Sequence, residues 1–185
     1  MNLTFESERI LFRPLTEDDL DIEIELWTDP DVARFITGKA ATEDEVAAQM
    51  ATVTRRGGGG CIGIWCLIDR SSHQKLGHAV LLPLPVEEED TDWNLLNGDD
   101  IPDGDIEIGY VLKKAAWGKG YATEACKRLL QFAFEETQLD EIVATTDPDN
   151  TASQRVLEKS GLIYQGLVRA FASDVPGFKI TRHQW

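Results

Sequence analysis

The sequence predicts a single domain of the mixed α/β (α+β) class, in which a mostly antiparallel β-sheet carries helices on both faces. Three observations predict this class. The chain of 185 residues has the length of one domain, and 42% of its residues are hydrophobic, an ordinary share for a globular core. Strand-like and helix-like patterns follow one another along the chain, and recognisable caps precede several of the helices. We therefore expect residues 1–185 to form one folding unit.

Local signals place the elements of the first half of the chain. Thr16 precedes three acidic residues, which makes it a suitable N-cap for a helix. Residues 42–45 form a capping box, in which Thr and Glu side chains pair with backbone groups at the helix start. The predicted elements, in order, are a strand over 8–15, a helix over 16–27, a helix over 42–55, and an antiparallel pair of strands over 61–68 and 75–82.

Residues 83–104 interrupt this pattern with a run of acidic residues that has Pro and Gly at its ends. This composition predicts an extended surface loop inserted into the domain. The loop either guides a cationic substrate or is simply a solvated, charged segment.

The second half of the chain is predicted to contain four more strands and two helices. Alternation over 105–112 indicates a strand, and Gly109 suggests a bulge in it. Asn150 is a suitable N-cap, and Gly161 suits the left-handed position after a helix. The predicted elements are a strand over 105–112, a helix over 118–136, a strand over 141–146, a helix over 150–160, and strands over 162–169 and 178–184 around a turn at Pro176 and Gly177.

Charge and composition exclude several classes of protein. The net charge is −15, from 33 acidic and 18 basic residues, which argues against a nucleic-acid partner. It suits a cationic substrate, although acidity also serves solubility alone. The chain has neither a run of about 18 apolar residues nor a signal-peptide pattern, so we expect a cytoplasmic protein without membrane contact. The three cysteines lack zinc spacing, and no metal site is expected.

The sequence joins a strand to a helix through a short turn of small residues. A helix start offers unpaired N–H groups and a partial positive charge. Small residues there let a pyrophosphate approach the backbone, although they also suit any tight strand–helix connection. The spacing differs from both the dinucleotide and the P-loop patterns. The turn consists of Trp117, Gly118, Lys119, Gly120, Tyr121 and Ala122.

This turn resembles the acetyl-CoA-binding segment of the GNAT superfamily, and specifically of its RimJ/RimL-like branch. The superfamily pattern is Gln/Arg-x-x-Gly-x-Gly/Ala, which Gly120 and Ala122 match. Trp117 occupies the Gln/Arg position, a departure typical of this branch. Three further segments resemble the family in the same order, and together the matches span about residues 6–170. They are residues 8–15, residues 107–110, and residues 150–161.

The resemblance implies a GNAT-like fold whose fourth and fifth predicted strands, 105–112 and 141–146, splay apart to hold the CoA arm. It implies acetyl-CoA as co-substrate and transfer of the acetyl group to an amine by direct attack. The residues implied to contact acetyl-CoA are Tyr110, Val111, Leu112, Trp117, Gly118, Lys119, Gly120, Tyr121, Ala122, Asn150 and Ser153.

Such a reaction needs a base, because an ammonium with a pKa near 10 is not a nucleophile. Glu107 is the candidate base, or else an anchor for a cationic substrate. Backbone N–H groups near Tyr110 are candidate donors to the oxyanion. Many GNAT enzymes protonate the departing thiolate with a Tyr seven residues after the Asn, where this chain has Leu157. Ser153 is the candidate substitute, as in RimL-like enzymes, and Tyr164 is a weaker one.

The acceptor amine is not specified by the sequence. A peptide N-terminus, a polyamine, an aminoglycoside and another small amine all fit, and a homodimer is possible. An alternative function is a non-catalytic acyl-CoA-binding sensor or scaffold module. Such a module would keep the turn at 117–122 and would not need Glu107 or Ser153.

Overall fold

A computed structural model describes residues 2–185, and within this range the chain forms eight strands and five α-helices. The strands are β1 (Phe5–Glu6), β2 (Ile10–Pro14), β3 (Gly63–Asp69), β4 (Lys75–Pro83), β5 (Ile106–Leu112), β6 (Glu141–Thr145), β7 (Ile163–Ala170) and β8 (Ser173–Thr181). The helices are α1 (Leu20–Trp27), α2 (Pro30–Ala33), α3 (Glu43–Val53), α4 (Tyr121–Glu136) and α5 (Thr151–Lys159). None of the helices in residues 2–185 is long and apolar enough to cross a membrane.

All eight strands join one sheet in the order β1-β2-β3-β4-β5-β6-β8-β7. Neighbouring strands are antiparallel throughout, except that β5 and β6 are parallel. The predicted mixed and mostly antiparallel sheet is therefore confirmed. The parallel pair lies near the middle of the sheet, where β5 ends and the chain turns into α4.

Helices cover both faces of the sheet, as predicted. On one face, Glu23 of α1 bonds the imidazole of His78 on β4 at 2.7 Å. On the other face, Tyr110 of β5 reaches Ser153 of α5 at 3.1 Å. The two strand residues belong to opposite faces because His78 pairs with Val111, the neighbour of Tyr110, and side chains alternate along a strand. The helix α4 shares the face of α5 and buries its own apolar stripe there.

Two predicted features involving glycine are wrong. Gly109 is not a bulge, because β4 and β5 pair in unbroken register, with Val80 opposite Gly109. A Cβ at Gly109 would lie 3.0 Å from the Val80 side chain, so the glycine permits close packing. Pro176 and Gly177 do not form a turn, because both lie within β8. A Cβ at Gly177 would lie 2.5 Å from the Val168 side chain, which again explains the glycine by packing.

The hairpin between β7 and β8 turns instead at Phe171 and Ala172, both of which have positive φ, at 49° and 54°. Their backbone N–H groups donate to Pro85 and Val86, each at 3.0 Å. The first residues of the acidic loop are thus attached to the hairpin. Beyond this attachment the loop is mostly exposed and contains one short 3-10 turn at Trp93–Leu95.

Candidate active site

The parallel strands β5 and β6 separate almost immediately. Among the described residues their register has a single paired position, Glu107 with Val143, whereas β4 and β5 pair over seven positions. The rest of β5 toward Leu112 therefore faces β6 across an open fork. This fork is the predicted splay between 105–112 and 141–146, and it leaves the edge of β5 at Tyr110, Val111 and Leu112 without a strand beside it on that side.

Glu107 lies at the closed end of the fork. Its Oε1 accepts hydrogen bonds from Thr145 of β6, from the backbone N–H at 2.9 Å and from the side-chain hydroxyl at 2.6 Å. Burial raises the pKa of Glu107 to about 7, although the two Thr145 bonds act in the opposite direction. A carboxylate with such a pKa accepts a proton near neutral pH and releases it again.

The turn between β5 and α4 forms the open end of the fork. Gly118 and Gly120 both adopt left-handed backbone conformations, with φ of 70° and 81°. The helix begins at Tyr121, so the predicted start near Gly118 is three residues early, because these two conformations are not helical. A Cβ at Gly118 would meet no described atom within 4 Å. Gly118 is therefore required for its conformation, and the space beside it is open.

A guanidinium from the other end of the chain holds this turn. Arg9 donates through Nη1 to the carbonyl of Lys119 at 3.0 Å and through Nε to Glu124 at 2.7 Å. Its guanidinium also stacks on the ring of Tyr121, 4.5 Å from the centroid. Partial burial alone would raise the pKa of Glu124, but hydrogen bonds from Arg9 and Ser7 lower it and keep the carboxylate charged. Arg9 carries no local signal of this role, because its contact with Glu124 joins residues 115 positions apart.

Tyr121 makes a second attachment of the turn. Its hydroxyl donates to Asp69 at the end of β3, at 2.5 Å. Hydrogen bonds from Ser71, Tyr121 and Ser72 hold the pKa of Asp69 well below its usual range, so this anchor is ionised. Lys119 lines a cavity of about 150 Å³ beside the same contact, and its side chain is exposed.

On the α5 face of the fork, two hydroxyl groups meet. The phenol of Tyr110 lies 3.1 Å from the Ser153 hydroxyl. Burial raises the pKa of Tyr110 above its ordinary value, so the phenol is protonated at neutral pH. Asn150 accepts the backbone N–H of Ser153 at 3.1 Å, which confirms Asn150 as the N-cap of α5.

The structure thus brings most of the predicted site residues around one fork. Glu107 is on one face, while Tyr110, Asn150 and Ser153 are on the other. The glycine turn, with Trp117 and Ala122 at its ends, lies at the open end of the fork, and the Trp117 indole donates to the Leu112 carbonyl at 2.6 Å. Tyr164 lies apart on β7, beyond β6 and β8, and is exposed.

Comparison with known proteins assigns the family. Residues 9–163 match the model of the acetyltransferase (GNAT) domain. The protein YkkB of Bacillus subtilis is 31% identical over 81% of this chain and 78% of its own length. An uncharacterised N-acetyltransferase of Bacillus licheniformis, p20, is 28% identical over 98% of each chain. The crystal structure of a GNAT-family acetyltransferase from Bacillus anthracis superimposes with a TM-score of 0.75 at 25% identity and covers 97% of this chain and 99% of its own.

The chain therefore belongs to the GNAT acetyltransferases, and its fold is the GNAT fold. It is an acetyltransferase, and GNAT domains use acetyl-CoA.

Proposed function

We propose that this enzyme transfers the acetyl group of acetyl-CoA to a primary amine, by direct attack of the amine within a ternary complex. The observation that carries the proposal is the carboxylate of Glu107, which lies at the closed end of the fork with a pKa of about 7. A base with this pKa suits the deprotonation of an ammonium group near neutral pH.

The open side of the fork suits acetyl-CoA. The amides of the glycine turn and of the first residues of α4 would hold the pyrophosphate, because a helix start offers unpaired N–H groups and a positive dipole end. The residues in this role are Trp117, Gly118, Lys119, Gly120, Tyr121 and Ala122. The CoA arm would lie along the open edge of β5, at Tyr110, Val111 and Leu112, with Asn150 and Ser153 beside it. The free space at Gly118 and the unpaired edge of β5 support this placement.

In the proposed reaction, Glu107 accepts a proton from the ammonium group, directly or through water. The amine nitrogen then forms a bond to the carbonyl carbon of the thioester while backbone N–H groups near Tyr110 stabilise the oxyanion. The bond from carbon to sulfur breaks, and the nitrogen gives up its second proton to solvent as the amide forms. CoA leaves as a thiolate that takes a proton from a donor, which solvent then reprotonates. Ser153 is the proton donor. Its hydroxyl lies within hydrogen-bond distance, 3.1 Å, of the neutral phenol of Tyr110.

Direct attack is supported by the state of the thiols. Cys61, Cys66 and Cys126 are all buried. Burial raises the pKa of Cys66 and of Cys126 to about 12, so neither thiol supplies a thiolate for a covalent intermediate at neutral pH. The RimJ/RimL-like resemblance and the N-acetyltransferase name of the relative p20 favour an amine as acceptor.

The test is a screen of acetyl-CoA consumption over an amine library, with mass detection of the acetylated product. We expect at least one primary amine to be acetylated, and Glu107→Gln to lower kcat by about 100-fold or more while acetyl-CoA still binds. Gln keeps an oxygen for the Thr145 bonds, so the fold of the variant should be preserved. A protein that binds acetyl-CoA but acetylates no amine would instead be the non-catalytic module. Full turnover in Glu107→Gln would remove Glu107 as the base.

A further inference from the structure

The guanidinium of Arg9 lies beside the start of α4 and has one nitrogen without a protein partner. Its Nε and Nη1 donate to Glu124 and to the Lys119 carbonyl. Its Nη2 forms no hydrogen bond to any of residues 2–185. This nitrogen lies next to Gly120, where a Cβ would be 3.5 Å from it. Because α4 begins at Tyr121, a spare donor lies beside the first unpaired amides of the helix.

The guanidinium is fixed in this place from several sides. The backbone N–H of Arg9 donates to Glu124 at 2.7 Å, so one carboxylate holds both the main chain and the side chain. The guanidinium stacks on the ring of Tyr121, which Asp69 holds through the phenol. A ligand that accepts from Nη2 therefore meets a donor that is already ordered, and binding loses little side-chain entropy.

A cation is unexpected at this end of a helix. A helix start carries a partial positive charge, so a carboxylate stabilises it and a cation destabilises it. Glu124, in the first turn of α4, would interact favourably with the helix start without Arg9. The Arg9 side chain is also partly exposed, so its charge is accessible from outside. An exposed guanidinium with a spare donor suits an anion here, and phosphate oxygens match its planar donors.

We propose that Arg9 binds the pyrophosphate of acetyl-CoA through Nη2 while its Nε and Nη1 hold the turn at 117–122. The pyrophosphate then receives donors from two distant segments, which are the start of α4 and the residue just before β2. Arg9 contacts the phosphates and not the thioester, so it contributes to binding of the co-substrate and not to the chemical step. This inference rests on the acetyl-CoA site proposed above.

Titration calorimetry with CoA tests the contact without an acceptor amine. Arg9→Lys keeps a positive charge beside Glu124, so the variant should stay folded. A single ammonium lacks the planar fork of donors that reaches Glu124, the Lys119 carbonyl and a phosphate together. We expect the Kd for CoA to rise about tenfold, the effect of losing one charge-assisted hydrogen bond.

The matched control is Arg128→Lys. Arg128 makes the same kinds of contact, since it stacks on the ring of Phe5 at 4.4 Å, donates to the Glu6 carbonyl at 2.9 Å and pairs with Glu136 at 3.4 Å. It lies in α4 about two turns beyond Tyr121. We expect its Kd for CoA to equal that of the wild type.

A second measurement separates contact with the phosphates from simple support of the turn. S-acetylpantetheine carries the thioester and the pantetheine arm but no pyrophosphate. With an amine from the library screen, Arg9→Lys should lower kcat/KM for acetyl-CoA about tenfold and leave kcat/KM for S-acetylpantetheine unchanged. The kcat at saturating acetyl-CoA should also stay unchanged, because the reacting groups are untouched.

The outcomes separate this inference from the function on which it rests. A wild-type Kd in Arg9→Lys, or an equal loss with both acyl donors, would overturn the phosphate contact and leave the acetyltransferase activity in place. An enzyme that binds CoA and acetylates no amine would contradict the proposed transfer, and the calorimetric comparison would still decide the role of Arg9. A wild-type enzyme that does not bind CoA would overturn both proposals.

Discussion

Glu107 and Tyr110 lie three positions apart on β5, so strand alternation directs their side chains to opposite faces of the fork. The amine must lose a proton and the thiolate must gain one. The Glu107 carboxylate lies on one face, and the hydroxyl groups of Tyr110 and Ser153 lie on the other. The two proton transfers therefore involve different groups. Both groups are in the protonation state that their role needs near neutral pH, since burial raises the pKa of Glu107 to about 7 and that of Tyr110 above its ordinary value.

The raised pKa of Glu107 predicts the pH dependence of turnover. A base must be deprotonated to act, so kcat at saturating amine should fall about tenfold per pH unit below about pH 7 and level off above it. Thr145→Val removes one hydrogen bond that lowers this pKa, and its profile should therefore shift to higher pH. Because the substitution leaves the amine itself unchanged, this shift would assign the titration to Glu107 and not to the amine. A profile that is identical in the wild type and in Thr145→Val would contradict the assignment.

The elements of the site were largely predictable where the signal is local. The N-caps at Thr42 and Asn150 and the left-handed Gly161 depend on neighbouring residues, and all three are confirmed. Strand alternation over 105–112 likewise predicted β5, which the structure places at Ile106–Leu112. The strand β1 was missed because two residues are too short to show a pattern.

The remaining errors come from tertiary contacts that a single sequence does not display. Gly109 and Gly177 resemble turn or bulge residues, yet each is small because a valine of the next strand packs against it. The true hairpin turn uses Phe171 and Ala172, which carry no turn signal, and contacts from Pro85 and Val86 support it. Similarly, the attachment of the turn to Arg9 joins residues 110 positions apart in the sequence.

The turn before α4 allows a direct test of its role in binding acetyl-CoA. Gly118→Ala places a Cβ in open space but disfavours φ of 70°, at a cost of about 1 kcal/mol. We expect KM for acetyl-CoA to rise about fivefold or more while the protein stays folded. Gly38→Ala is the matched control, because Gly38 has φ of 74° and equally open space in a different turn. An equal KM in both variants would show that the turn does not hold the co-substrate.

Across the whole molecule, the sheet acts as a rigid frame that brings distant segments to one fork. The turn at 117–122 follows β5, Thr145 ends β6, and Ser153 lies in the first turn of α5, so each is placed by the end of a strand or the start of a helix. The net charge of −15 agrees with a cationic acceptor at this scale.

The central claim is that the open fork between β5 and β6 and the glycine turn together hold acetyl-CoA. A crystal structure of the enzyme with CoA tests it most directly. We predict pyrophosphate oxygens within hydrogen-bond distance of the amides of residues 118–122, with the pantetheine arm along β5 at Tyr110 to Leu112. A CoA molecule bound elsewhere, with the turn at 117–122 unoccupied, would contradict the account.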